Sequence, residues 1–471
     1  MNRIGIIGGG ISGLSVAYSL SRHVKNIEVF EKEHEVGGIM RSVKHKGYLF
    51  DIGPHGIHTN NEILLKKIEE IMDGELISYN KFAEIKYKNK YYNYPLKPLN
   101  VLLRMNPVFS IWAGLNLLYV KLKYKLVKPE DRNAEEWLEN RFGRPLYRVF
   151  FKDYTMKIWG VKPTKLAASF AKHRIPTISI MDMIKKGLLR IQDPFDTGHS
   201  FAPQVYTVYY PSKGGIGEFP NKMASKIKNN GGRIHLSSEV SRVNLRSDSV
   251  VSVDCKVGKK HARKPVDTLI STIPLPELVR MITPKLDKET LEAAESISYR
   301  SLLVVCIIVK KSRVFKPLHI YFTNKIFHRL TELKNFGRHL FPKEETGLMA
   351  EITCDYDDEK WNSNQEELCK EVVNDITAEG FMKEGDVKDC FVIKVRYAYP
   401  RYGVGFEEAL NKIYKRLKRI KNLYSFGRLG IFRYIDMDIC MEQGFRMADE
   451  LVKGKQKEGL DSFDIEKTLY I

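Results

Sequence analysis

Ile4-Gly5-Ile6-Ile7-Gly8-Gly9-Gly10-Ile11-Ser12-Gly13 is a short apolar run of buried-strand type that passes without a break into GxGxxG, and Leu14 to Ser21 then reads as a helix. The spacing has a physical reason. Gly8 permits a tight turn, Gly10 lets backbone approach a pyrophosphate, and Gly13 lets helix and strand pack closely, with the phosphates at the positive helix end beside Ser12. Working outward, Ile27-Glu28-Val29-Phe30 reads as a second strand ending in Glu31, 18 residues after Gly13, with Lys32 next to it. An acid at that point meets ribose hydroxyls. Strand, glycine turn, helix, strand and acid together predict a dinucleotide site in a Rossmann-type α/β unit.

The 471 residues allow two or three cores, and 43% hydrophobic with 28% charged residues is the composition of an ordinary globular protein. A net charge of +20 calls for an anionic ligand, a nucleic acid, an anionic membrane face or a solvated lysine-rich surface. The basic residues are dispersed and no nucleic-acid motif accompanies them, so no nucleic acid is expected. Six cysteines are widely spaced with neither a CxxC pair nor a metal-ligand rhythm, so no metal is expected, and they fit a reducing, cytoplasmic setting. The amino terminus enters a strand directly, without a secretory pattern. The most apolar window, Pro107 to Val120, is too short to span a bilayer and reads as a buried or amphipathic helix, with peripheral membrane contact as the minor alternative.

After Glu31 comes Val36-Gly37-Gly38-Ile39-Met40-Arg41-Ser42, a glycine pair beside an arginine suited to phosphate. GxGxxG, an acid and then GGxxRS resemble the flavin amine oxidase superfamily, which includes amine oxidases, protoporphyrinogen oxidase and UDP-galactopyranose mutase. The resemblance implies FAD, with Gly38 and Arg41 joining Gly8, Gly10, Ser12, Gly13, Glu31 and Lys32 as cofactor residues. Gly53-Pro54-His55-Gly56-Ile57-His58-Thr59-Asn60 resembles the GPHxxHTxN stretch of the mutases and implies His55 beside the flavin ring. Tyr209 to Phe219 resembles an aromatic-Pro-x-x-Gly-Gly segment shared by much of the superfamily. The segment near Val240 would touch the adenosine side of FAD.

Further resemblances concern a nucleotide-sugar pocket. Lys157-Ile158-Trp159-Gly160 and His173-Arg174-Ile175-Pro176 are similar to the mutase pattern of KxWG, spacer and RIP, which implies Trp159 at the pocket and Arg174 on the pyrophosphate. Phe327-His328-Arg329-Leu330 corresponds to the site of a second pyrophosphate arginine, Arg329. Tyr397-Ala398-Tyr399-Pro400 offers Tyr399 as the tyrosine reaching the phosphates, with Tyr397 as the other candidate. Phe426-Gly427-Arg428-Leu429-Gly430-Ile431-Phe432-Arg433-Tyr434-Ile435-Asp436-Met437-Asp438 resembles GRLGxYRYxDMD, with Phe432 in place of the first tyrosine. It implies a strand carrying Gly427 and Arg428 against FAD, Tyr434 and Asp436 facing substrate, and a helix from Asp438 aimed at the isoalloxazine.

The expected architecture is an α/β fold: a FAD-binding Rossmann-type domain with a helical insertion and an antiparallel-sheet substrate domain. The FAD-binding parts fall at 1–95, 201–290 and 421–471, the insertion at 96–200 and the substrate domain at 291–420. Within the insertion, Leu102, Trp112, Leu115, Leu118 and Tyr119 read as packing residues. Asn411 to Lys421 reads as a basic amphipathic helix with a solvated face. The resemblance implies a flavoenzyme interconverting pyranose and furanose forms of a UDP-galactose-type sugar through a reduced-flavin N5-sugar adduct, with His55, Arg174, Arg329, Tyr399, Tyr434 and Asp436 catalytic and NAD(P)H a candidate reductant. The alternative is a FAD-dependent oxidoreductase of the protoporphyrinogen oxidase or amine oxidase type. The partner expected is a nucleotide-sugar small molecule.

Overall fold

The computed structural model describes residues 3–80, 82–94, 104–127, 130–174, 207–257 and 260–454. Ile4–Ile7 is buried along its whole length because it lies at the centre of a five-stranded sheet. Thr268–Ser271 and Ile27–Phe30 pair with it in parallel on either side, and Leu423–Ser425 and Arg233–His235 add the outer strands, also parallel. Parallel strands covered on both faces need continuous apolar runs, which explains IGII, IEVF and TLIS. The helix after the glycine turn begins three residues earlier than the sequence suggests, spanning Ile11–Ser21. It packs on the last described helix, Met437–Val452. There Gly444 is required, since a Cβ would fall 2.7 Å from the Ser15 Cβ and 3.0 Å from the Val16 amide nitrogen.

A second sheet of seven strands runs in the order Val387–Arg401, Ser298–Val309, Thr346–Cys354, Arg329–Glu332, His319–Phe322, Ala83–Tyr87 and Lys90–Tyr94. All neighbours are antiparallel except His319–Phe322 with Ala83–Tyr87. The sheet thus includes a hairpin from ahead of residue 96. Its two faces separate by the period of two. Leu303, Val305, Ile307, Leu330, Leu348, Ala350 and Ile352 join one apolar cluster under the Gln365–Ala378 helix. Leu302, Val304, Cys306, Ile308 and Met349 join the core shared with the parallel sheet. Alternation therefore turns Arg329 and Glu351 toward the parallel-sheet side.

Several expectations need correction. Gly427 and Arg428 do not lie on a strand: the strand ends at Ser425 and a helical turn spans Gly427–Gly430. Gly427 has φ +79°, and a Cβ there would meet the Ser12 hydroxyl at 2.3 Å, so the chain turns where strand geometry would collide. Helix Pro107–Leu126 does form, but Trp112, Leu115, Leu118 and Tyr119 point outward instead of packing; Leu102 lies outside the described residues. Cys369 and Cys390 form a disulfide between helix and sheet, with Cα atoms 6.1 Å apart, a pairing that spacing alone did not reveal. The remaining four cysteines are buried and free. The basic helix spans Phe406–Lys418, and part of its charge is paired, through Lys412 with Glu289 and Arg416 with Asp287. Among the described residues no helix is long and apolar enough to cross a membrane.

Candidate functional site

The glycine turn is shaped by close contacts that only glycine satisfies. Gly8 has φ +101°, and a Cβ on Gly13 would lie 2.0 Å from the Gly8 carbonyl oxygen. Gly10 is different: a Cβ there would meet only Gly38 Cα, at 3.9 Å, so that side of the turn is open. The helix starting at Ile11 has no side-chain cap, which leaves its positive end facing this cradle. Glu31 is buried, and its carboxylate accepts from the Gly9 amide at 2.6 Å and the Glu33 amide at 2.9 Å. The Glu31 carbonyl accepts from Ser238 N–H at 2.8 Å, which brings the strand carrying buried Val240 to the same edge. Arg41 donates to the Gly38 carbonyl at 2.9 Å and lies near Glu33 and Glu35. Lys32 is exposed beside Glu33.

Behind this cradle is a network absent from the sequence reading. Buried Asp51 accepts from the hydroxyls of Ser42 and Tyr210, both at 2.7 Å, and from the Ile216 amide at 3.1 Å. Ser42 in turn accepts from the Gly217 amide at 2.9 Å. These bonds join GGxxRS to the aromatic-Pro-x-x-Gly-Gly segment, and Gly215 is needed because a Cβ would reach the Ser42 hydroxyl at 2.3 Å. Burial pushes the Asp51 carboxyl up to about 6 against the pull of its donors. Its position two residues before Gly53 of GPH is the available sequence signal.

His55 carries its proton on Nδ1, which donates to the Gly53 carbonyl at 2.9 Å. Removal from water, then the Arg428 and Arg329 cations, lower the imidazole to about 4, so it is neutral near pH 7. Arg329 forms a bidentate pair with buried Glu351 across adjacent strands, its Nη2 at 2.8 Å from Oε1 and its Nε bonded to Oε2. Lys157 donates to the carbonyls of Phe322, Lys325 and Phe327 and so shapes the loop leading to Arg329. Glu351 and Lys157 were not proposed as site residues; their partners are over a hundred positions away or on another strand.

Tyr399 and Tyr434 face each other with ring centroids 5.2 Å apart. The Arg428 guanidinium lies 4.1 Å from the Tyr434 ring and 5.2 Å from Tyr399, and donates to the Ala398 carbonyl at 2.7 Å. Its Nε is buried without a hydrogen-bond partner. Trp159 ends its helix with its ring 6.2 Å from Tyr399. Tyr397 instead donates to Glu277 at 2.6 Å, which separates the two tyrosine candidates. Asp436 occupies the N-cap position of the Met437–Val452 helix without a side-chain cap bond, its carboxylate 3.9 Å from His58. Burial, then Asp436, push Asp438 up to about 7, while the Ile439 amide holds it back. The backbone of Arg174 closes the Ala168–Arg174 helix; its side chain lies outside the described residues.

The His55 environment predicts a pH signature. Its folded value lies below the 6.5 of an ordinary imidazole, so the unfolded chain takes up the proton first as pH falls. Stability that His55 contributes above pH 6.5 is lost toward pH 4. Asp51 acts oppositely, its contribution fading as pH rises from 3.8 through about 6. His55→Gln is expected to flatten the loss of urea midpoint between pH 7 and 4; an unchanged slope would count against the assignment.

A parallel sheet with an open glycine cradle, beside a cluster of cations and tyrosines, defines a dinucleotide-cofactor enzyme. The flavin-containing amine oxidoreductase family model matches residues 11–424, and the chain belongs to that family. A flavin is accordingly its cofactor, and the open Gly10 face, the uncapped helix end and the unpartnered Arg428 Nε fit one. The chain is 21% identical over 450 residues to the probable UDP-galactopyranose mutase of Klebsiella pneumoniae, covering 95% of this chain and 94% of that one. It is 23% identical over 405 residues to a protoporphyrinogen oxidase of Dictyostelium discoideum, covering 75% and 73%. Reduced UDP-galactopyranose mutase has the same fold, with a TM-score of 0.83 at 20% identity over 100% of this chain and 99% of that one.

Proposed function

We propose that the protein is a flavin-dependent mutase interconverting the pyranose and furanose forms of a UDP-linked, galactose-type sugar. The observation that carries this reading is the polar character of the cleft: Arg329, Arg428, Tyr399 and Tyr434 gather beside His55, donors suited to a diphosphate and costly to bury against an apolar substrate. When bound and reduced, the flavin supplies the nucleophile for the anomeric carbon. Arg329, aimed by Glu351, and Arg174 hold the departing diphosphate, while Tyr399 and Tyr434 donate to its oxygens and Trp159 borders the nucleotide-sugar pocket. Neutral His55 keeps its proton on Nδ1, leaving Nε2 as an acceptor. Asp436 and Asp438 place a carboxyl near neutral titration at the helix start. The proposed division of labour gives cofactor binding to 1–95, 201–290 and 421–471, apart from the hairpin at 83–94, which stands in the second sheet, and gives substrate walls to 96–200 and 291–420.

The deciding experiment incubates dithionite-reduced protein with UDP-galactofuranose and follows UDP-galactopyranose by chromatography. The expected result is conversion without net redox change, supported also by NAD(P)H in place of dithionite. Failure of conversion, with stoichiometric flavin reduction by a porphyrinogen or amine, would establish the oxidoreductase reading instead.

A further inference from the structure

Helix Pro107–Leu126 carries two apolar faces. The inner one, through Phe109, Ala113 and Leu117, packs against Tyr92, Leu146 and Phe150. The outer one consists of Ile111, Trp112, Leu115, Leu118, Tyr119 and Leu122, continued at the ends by Val108 and Leu126. Their exposures run from 50% at Trp112 to 84% at Leu126, and among the described residues nothing covers them. At 100° per residue they occupy an arc of about 120°, the stripe of a helix that should be facing a core. A row this long on an otherwise polar surface marks an interaction site.

We infer that this face docks onto the surface of an anionic lipid bilayer, the helix lying in the interfacial plane. Charge selects the occupant. From Arg104 to Val127 the sequence has Arg104, Lys121, Lys123 and Lys125 and no acidic residue, in a chain of net charge +20. A second copy would bring like charge to like, whereas an acidic bilayer attracts it from a distance. Trp112 and Tyr119 suit the headgroup boundary, and exposed Lys123 at the edge of the stripe fits a cation reaching phosphate. The helix does not span: its 20 residues are not apolar enough to cross a membrane. Nothing in this inference depends on the substrate assigned above.

The test is flotation of the full flavin-loaded protein with vesicles of phosphatidylglycerol and phosphatidylcholine, or of phosphatidylcholine alone. Expected is recovery with the acidic vesicles, weakened by salt and reduced at least about tenfold by the combined Ile111→Ser, Leu115→Ser and Leu118→Ser substitutions. These side chains are outward, so flavin content should be unchanged. An independent measurement needs no triple variant: brominated lipid should quench the fluorescence of the wild-type protein, and Trp112→Phe should abolish most of that quenching. Equal binding by the triple variant, absence of binding to acidic vesicles, or quenching indifferent to Trp112→Phe would overturn the inference. So would lipid-free protein in which Trp112 is already shielded from acrylamide, whether by a second copy or by residues 175–206.

Discussion

Replacing Arg329 with alanine is expected to abolish turnover and to weaken the fold at the same time, for separate reasons. Arg329 is the bidentate partner of Glu351, which is 1% exposed. Removing the guanidinium strands a carboxylate in the interior, and breaking a buried pair from one side costs about 3–5 kcal/mol. The loss of a preorganised donor to the diphosphate would lower kcat by at least about 10²-fold. The two effects can be separated. Combining Arg329→Met with Glu351→Leu removes both charges and fills the space with apolar side chains, which should return most of the urea midpoint while leaving turnover absent. If the double variant recovers stability and also turns over, Arg329 has no part in the chemistry. Glu351→Gln offers a further check, because it should raise KM and blur the aim of Arg329 without emptying the cleft.

The second large effect concerns the glycine turn, where two neighbouring substitutions should behave in opposite ways. Gly13→Ala drives a methyl to 2.0 Å from the Gly8 carbonyl oxygen, a backbone atom that cannot swing aside, so the turn itself must open. A loss of about 3 kcal/mol or more is expected, together with the flavin. Gly10→Ala meets only Gly38 Cα at 3.9 Å and should leave the cofactor-free protein within about 0.5 kcal/mol of wild type. Flavin affinity should nevertheless drop at least about tenfold, because the methyl fills the face a pyrophosphate approaches. Thermal unfolding of both apoproteins and titration with FAD check the pair. Tight FAD binding by Gly10→Ala would place the cofactor elsewhere.

Most of the fold was legible because its strands obey simple local rules. IGII and IEVF are continuous apolar runs, and the hairpin suggested by Ala83 to Tyr87 and Tyr91 to Tyr94 around Lys88-Asn89-Lys90 forms with a turn one residue shorter, Lys90 joining the second strand. Glu62 to Met72 reads as an amphipathic helix in the sequence, and the helix has those bounds. Candidate site residues were named where resemblance supplied a motif, and the structure brings His55, Arg329, Arg428, Tyr399, Tyr434 and Trp159 into one neighbourhood. What stayed hidden is non-local. Glu351 gives no sign that it faces Arg329 until two strands are set in register, and Asp51 finds Tyr210 across 159 positions. The outward stripe on Pro107–Leu126 misled for another reason: periodicity reports that a face is apolar but not what covers it.

The order of strands in the parallel sheet has a consequence for biosynthesis. Its five members come from positions 4–7, 27–30, 233–235, 268–271 and 423–425, so a nascent polypeptide holds the glycine turn ready for hundreds of residues before the last strand exists. Until Leu423–Ser425 and the Met437–Val452 helix leave the ribosome, one edge of the sheet and one flank of Ile11–Ser21 stay open to wrong partners. Ligand capture is thereby a late event, and chaperone demand should peak in the long interval while the middle of the message is being translated.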